Sequence, residues 1–554
     1  MIKILFIFSL IPPYNFLNFL ERELKKNFMD LKKEEIPPYY MEYQLIFEEK
    51  EEIEASFGNI ISEFESKRGY FGSRIRLGDY YFDSSIYPDE FYSPMEEENT
   101  ITHIIRNFEI PFYEDTLTKE TIKKITFRNY QISKIRYLEK KAKKIQEIEY
   151  DTLPSFTKEV PEIYIDKESY KKINKENIKK IIKEISKIFK KEKEILSGKV
   201  SYSSINYKKY FVDTEGRKIF EIRNYNYIYI NAQAKADDGM WVSDFENIFF
   251  YKEDEIPSKD SLLNLSKKII ENVKNLKKAK VQEAYKGPVL IKSPASGVFF
   301  HEILGHRLEG HRQRSRIEGE IFKEKIGEKI LPEFINVYDN PNLKYFKKFP
   351  LSGFYKFDEE GIRGKNAILV EKGVLKNFLL SRRPLLNFKN SNGHARASPF
   401  YISYSFEPPC PRQSNLIIEN LNPIPFDSLK KILIKECINQ NKEYGIIIEK
   451  ISEGRTQTTK FTIETFESEP IVAKRIYIDG KEEYIRGIRF GGTPLISLKN
   501  IIFLGDDEKV YNGFCGAESG IIPVSISSPS VLIRELELTK KEKSYLSAPL
   551  IPKP

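Results

Sequence analysis

The chain has 554 residues, of which 40% are hydrophobic and 13% aromatic, enough for two or three cores and too apolar for a disordered chain. Lysine and arginine outnumber aspartate and glutamate by 90 to 81 for a formal charge of +9, yet the lysine-rich stretches, such as residues 179–184, carry glutamate at close spacing and read as solvated helix faces, not as a nucleic-acid groove. Three cysteines (Cys410, Cys437 and Cys515) make no disulfide framework and suit a reducing compartment, and no apolar run reaches the roughly 18 residues of a membrane span.

Met1-Ile2-Lys3 and the apolar run to Ile11 have a signal-like character, but Pro12-Pro13 interrupts the run and no small-x-small cleavage site follows. Residues 1–16 are therefore set apart as a signal-like or disordered leader. The expected location is cytoplasmic, with export as the alternative if the leader acts as a signal peptide. Leu17, Leu20, Leu24 and Phe28 recur at helical steps, predicting a helix over residues 17–29. Pro37-Pro38 ends that region. Short extended runs over 42–47, 52–57 and 60–66, with a turn at Gly58-Asn59, predict an antiparallel meander. Helices are expected over 116–148 and 169–196, the second with Ile178, Ile181, Ile182, Ile185, Ile188 and Phe189 on its core face. Residues 200–233 return to strand chemistry, and Pro257-Ser258 opens an amphipathic helix through Leu276.

After Lys286-Gly287-Pro288 comes a short buried strand at Val289-Leu290-Ile291, then a histidine-rich helix. Beyond residue 350 strands and turns dominate, with hairpins at Lys372-Gly373 and Asp479-Gly480. The pattern predicts an α+β fold of two domains. Residues 17–285 form an N-terminal domain of mixed sheet and helices, and residues 286–554 a C-terminal domain rich in antiparallel strands.

Histidine is rare, with five in the chain, yet His301, His306 and His311 fall within eleven residues, with Glu302 and Glu309 among them. Imidazole and carboxylate together suit a borderline divalent metal. The competing reading is an ordinary amphipathic helix with Phe299, Phe300, Ile303 and Leu304 as its apolar face. In the familiar His-Glu-x-x-His arrangement two histidines four residues apart lie about 40° from each other around the helix. The step of five from His301 to His306 puts them about 140° apart, too far for one ion. A distorted turn is therefore expected between them, either a π-bulge or an end of the helix at Gly305. A third ligand is needed, and Glu309, His311, His394, Cys410 and Cys515 are all candidates.

Phe300-His301-Glu302-Ile303-Leu304-Gly305-His306-Arg307-Leu308-Glu309-Gly310 resembles the His-Glu-x-x-x-His signature of TldD/PmbA-type metallopeptidases. Gly287-Pro288-Val289-Leu290 resembles the strand before it. Asn392-Gly393-His394-Ala395-Arg396 and Pro411-Arg412-Gln413-Ser414-Asn415 resemble the family's central segments, and Gly513-Phe514-Cys515-Gly516 its Cys-Gly element. Asp237-Asp238-Gly239, Tyr39-Tyr40, Gly58 and residues 76–80 extend the similarity over nearly the whole chain after residue 17.

The resemblance implies a zinc peptidase with one ion per chain held by His301, His306 and Cys515. Glu302 would be the catalytic base that activates a zinc-bound water. It also implies a homodimer, or a heterodimer with a related subunit, enclosing a chamber for short or unfolded peptides. His311 and His394 are candidate transition-state or substrate contacts. The alternative is a non-catalytic metal-binding or peptide-binding subunit of a hetero-oligomeric peptidase. Two departures bear on substrate preference: Ala517-Glu518-Ser519-Gly520 where many members have lysine and glutamine, and His311 where better-known members are acidic.

Overall fold

The computed structural model describes residues 12–85, 119–146, 151–168, 171–319, 321–398 and 408–541. Most of the leader expected over residues 1–16 lies outside them. Helix α1 (Pro13–Leu31) opens on proline at its first position, where the missing N–H costs nothing, and buries Leu17, Leu20, Leu24 and Leu31.

The expected meander is built from longer strands than the sequence pattern gives. β1 (Pro38–Ser56) and β2 (Asn59–Leu77) have 19 residues each. They turn at Phe57-Gly58, both with positive φ, one residue earlier than read from sequence. β3 (Ile163–Ile165), β4 (Ser197–Asp213), β5 (Lys218–Lys235) and β6 (Trp241–Phe250) complete this sheet. Its order is β2-β1-β4-β5-β3, with β6 also paired to β5. Helices α2 (Lys119–Gln146), α3 (Lys175–Ser186) and α4 (Lys259–Lys278) pack on it with α1. The helix expected over 169–196 is shorter in the structure, because a 3-10 turn at Lys187–Lys191 seats Phe189 in the core against Gly198.

Side chains alternate across a strand, so β1 sorts its two faces. Tyr43, Leu45 and Ile53 join the helices in two cores. Ile46 points the other way, into a cluster of Tyr70, Tyr207, Tyr225, Tyr227, Phe249 and Tyr251 that packs with Tyr345 and Phe354. The aromatic face is thus turned to the second half of the chain.

That half contributes β7 (Lys280–Val281), β8 (Tyr285–Ile291), helix α5 (Ala295–Ile303), β9 (Ile335–Asp339), β10 (Tyr345–Phe346), β11 (Phe349–Pro350), β12 (Ala367–Glu371), β13 (Val374–Leu375), β14 (Ala395–Arg396), β15 (Cys410–Pro411) and β16 (Asn415–Asn420). Helix α6 (Phe426–Asn439), β17 (Tyr444–Gln457), β18 (Thr465–Tyr477), β19 (Glu482–Arg486), β20 (Ile488–Gly492), helix α7 (Pro494–Lys499), β21 (Ile501–Leu504), β22 (Lys509–Ala517), β23 (Gly520–Ser528) and β24 (Val531–Lys540) follow. One sheet runs β13-β12-β9-β16-β23-β22. The other runs β17-β8-β24-β20-β18-β19-β7, with β21 on β24, and a β17–β18 pairing closes five of its strands into a ring. Most pairs are antiparallel, as expected, but β16–β23, β8–β17 and β7–β19 are parallel. Parallel neighbours need a crossover, and α5 and α6 lie in the long connection between β8 and β17.

The fold is α+β. Helix α5 is apolar nearly all round, and a helix of that kind must be surrounded. All nine of its residues are buried, between β17 and β18 of the ring and β22 and β23 of the other sheet.

Candidate metal centre

Helix α5 stops at Ile303, where Leu304 leaves the helical region (φ −122°, ψ −52°) and a 3-10 turn runs from Gly305 to Leu308. The break lies at the expected turn, one residue before Gly305, and takes the second of the two forms read from sequence. A side chain at Gly305 would collide with Gln413, whose amide donates to the His301 carbonyl at 3.4 Å, so the turn needs a residue without a Cβ.

The tightened turn brings the two imidazoles to a ring-centroid distance of 4.7 Å at 77°. Cys515, on β22, comes to the same place, with its sulfur 3.5 Å from His306 Nε2. One donor atom from each of His301, His306 and Cys515 lies within 4.8 Å of the others, and all three residues are buried. His301 Nδ1 is buried without a hydrogen-bond partner among the described residues. Two imidazoles, one thiol and a buried ring nitrogen left unpaired fit a borderline-soft divalent ion such as zinc.

Burial alone would raise the Cys515 thiol, but His306, Arg412 and His301 more than offset it and hold the group well below the ordinary thiol range. Burial opposes charge on His306 too, yet Glu309 and Cys515 push its pKa well above the usual imidazole value.

Glu302 projects beside this pair. Its carboxyl is raised above the ordinary range, chiefly by burial and against the pull of His301 and His306. Space for it comes from Gly454 on β17, where an added Cβ would meet the Glu302 side chain. Its backbone carbonyl accepts from Arg307 Nη1 at 2.7 Å and Thr456 Oγ1 at 3.0 Å.

Glu309, a candidate ligand from spacing, stands behind His306, whose Nδ1 lies 3.1 Å from its Oε2. Arg312 donates to the same oxygen at 3.0 Å and, through Nη1, pairs with Glu518 at 2.8 Å. His311 lies in a separate group with Cys410 and Glu518, again within 4.8 Å of one another. Glu518 is held at about 2, since Arg312 and His311 outweigh its burial.

His394 does not stand as a free donor to substrate. Its Nδ1 is 2.8 Å from Asn392 Oδ1 and its Nε2 is 3.3 Å from Asp339 Oδ1. Asp339 also accepts from the backbone N–H of Ser414 and of Asn415, so His394 helps to fix the segment that carries Arg412 and Gln413. Arg412, Arg307, Gln413 and Gly454 received no role from sequence, because their partners lie outside their own local patterns.

Residues 284–540 match the PmbA/TldA metallopeptidase C-terminal domain, and residues 168–277 match the central domain of the same family. A metalloprotease of Methanothermobacter thermautotrophicus is 27% identical over 348 residues, 61% of this chain and 69% of that protein. One from Archaeoglobus fulgidus is 30% identical over 247 residues, 44% of this chain and about half (51%) of that protein. A zinc metalloprotease TldD homolog of Saccharolobus solfataricus is 25% identical over 279 residues, 50% of this chain and 56% of that protein. Among solved structures, TldE from Thermococcus kodakarensis superposes with a TM-score of 0.62 at 12% identity, over 95% of this chain and 99% of that one. A putative modulator of a DNA gyrase from Thermotoga maritima gives 0.62 at 16% identity, over 94% and 100%. At such identities the structural likeness speaks for the fold alone.

Proposed function

The chain belongs to the PmbA/TldD metallopeptidase family, and from that premise we propose that it is a zinc-dependent peptidase. His301, His306 and Cys515 hold one ion per chain, and Glu302 is the general base. One observation carries this reading: two imidazoles and a thiol within 4.8 Å of one another, with a buried carboxylate at the adjoining residue.

When bound, zinc supplies Lewis acidity, lowering the pKa of water from about 15.7 toward about 7 and polarising a carbonyl. Glu302 takes the proton of the attacking water as its oxygen bonds to the scissile carbon. Glu302 then delivers that proton to the departing amine as the C–N bond breaks. A carboxylate raised by burial is a stronger base for the first transfer. Arg307 and Thr456 hold the backbone of Glu302, and Gly454 leaves its side chain room.

Short or unfolded peptides are the proposed substrates, taken in a chamber enclosed by a dimer with a second copy or a related chain. The fold shared with TldE supports the idea of a related partner. A cytoplasmic setting belongs to the same proposal, because a thiolate ligand must stay unoxidised.

The test is elemental analysis and peptide cleavage on the purified chain, alone and with a partner. Glu302→Gln is expected to keep its zinc and lose cleavage by about 10²-fold or more. Cys515→Ser is expected to lose zinc. Cleavage at the wild-type rate in Glu302→Gln would remove the proposed base, and full zinc in Cys515→Ser would remove the proposed ligand.

A further inference from the structure

Arg412 is fully buried, and a buried guanidinium must find acceptors inside the fold for its fixed set of donors. Its Nη2 donates to the Cys515 sulfur at 3.1 Å and to the Cys515 carbonyl at 3.0 Å. Its Nη1 reaches Ser519 Oγ at 3.0 Å and the Gly520 carbonyl at 3.2 Å. Its Nε forms an ion pair with Glu309 Oε1 at 3.5 Å without a hydrogen bond, and the other oxygen of that carboxylate lies 3.1 Å from His306 Nδ1. Both Arg412 and Glu309 have side chains with no solvent exposure.

One planar cation therefore touches the sulfur that arrives on β22 and the carboxylate that orients an imidazole from the turn after α5. A point charge such as lysine could not serve these directions at once. Outer partners of this kind fix the tautomer and orientation of metal ligands, so that losing one weakens the hold on the ion, and a hydrogen bond to a ligand sulfur also lowers the energy of its lone pair.

Resting on the zinc reading above, we infer that Arg412 is a positioning residue of the metal centre. Its guanidinium holds the Cys515 sulfur by a hydrogen bond and bears on the His306 ring through its ion pair with Glu309. The contacts to Ser519 and Gly520 would also serve a plain strut for the β22–β23 turn, so the test must separate the two roles.

The test uses the full chain with cobalt(II) as a spectroscopic stand-in for zinc, together with zinc affinity measured by chelator competition. The wild type should show a near-ultraviolet sulfur-to-cobalt charge-transfer band that Cys515→Ser lacks. A wild type without that band would sink the thiolate reading itself, whatever Arg412 does. In Arg412→Met zinc should bind about 10- to 100-fold more weakly. Its charge-transfer band should move to longer wavelength, since the sulfur loses its donor. Arg412→Lys keeps the charge without the fork and should show the same changes to a smaller degree, so it carries the test if the methionine variant does not fold. A folded variant with wild-type zinc affinity would overturn the inference. So would a band unmoved at saturating cobalt with only the melting temperature lowered, which is the signature of a strut.

Discussion

At the residue scale the candidate centre depends on two glycines, Gly454 and Gly305, as much as on the proposed ligands. Gly454 faces Glu302 across β17, where an added methyl group would meet the Glu302 Cγ and sit 2.8 Å from one carboxylate oxygen. In Gly454→Ala the carboxylate must move while the three donor residues stay as they are. The expected result is wild-type zinc content with kcat reduced and KM nearly unchanged, by as much as about 10²-fold for a displacement near 1 Å. Steady-state kinetics beside a zinc assay checks this, and a joint loss of zinc and kcat would show that Gly454 supports the ligands instead. The candidate pair His301 and His306 was legible because their rarity and closeness survive in one dimension. Arg412 was not, because its partners Glu309 and Cys515 lie about a hundred positions away in either direction. His394, which spacing offered as a candidate third ligand, instead has both nitrogens engaged, one by its near neighbour Asn392 and the other by Asp339 from β9.

At the scale of elements the functional feature is the passage from α5 into a 3-10 turn. Gly305 has no positive φ, so alanine there meets no backbone strain. It meets Gln413. Overpacking of this kind costs about 1–3 kcal/mol. Gly305→Ala should therefore lower the melting temperature and weaken zinc binding, and Gln413→Ala should restore part of both. A thermal double-mutant cycle measures the coupling, and purely additive effects would mean that the two residues do not compete for one space. Sequence periodicity gave α1, α4 and the two glycine hairpins near their true places, since caps and turn residues are local signals. It broke β1 into short runs because Glu48, Glu49, Glu51, Glu52 and Glu54 mask the alternation. In the fold Glu49, Glu51, Glu52 and Glu54 stand beside lysines, as in Lys67–Glu49 at 3.2 Å and Lys199–Glu54 at 2.8 Å. Pairing across a sheet is a tertiary fact that a window of one strand does not contain.

Across the whole molecule, the first sheet is joined to the second half of the chain by buried ion pairs. Lys209 on β4 lies 2.8 Å from Glu359 Oε2 and Arg223 on β5 lies 3.1 Å from its Oε1. Burial alone would raise the Glu359 carboxyl, but Lys209, Arg223 and Arg74 hold it at about 2. An unfolded glutamate titrates near 4.3. Between those values the unfolded chain binds a proton that the folded chain does not, so stability rises with pH. The contribution is complete above the unfolded value and is lost as pH falls through the folded one. The gap between about 2 and about 4.3 amounts to about 3 kcal/mol. Urea melts between pH 3 and pH 5 should show a smaller slope in Glu359→Gln than in the wild type, and equal slopes would leave Glu359 without this role. The closed ring has a different consequence. Its gap between β8 and β20 is filled by β24, which lies some 240 positions after β8. As the ribosome delivers the chain from its amino end, β8 must wait through most of that interval with one row of amides and carbonyls unclaimed. That unpaired edge stays open to wrong partners until the last strand of the ring to emerge covers it.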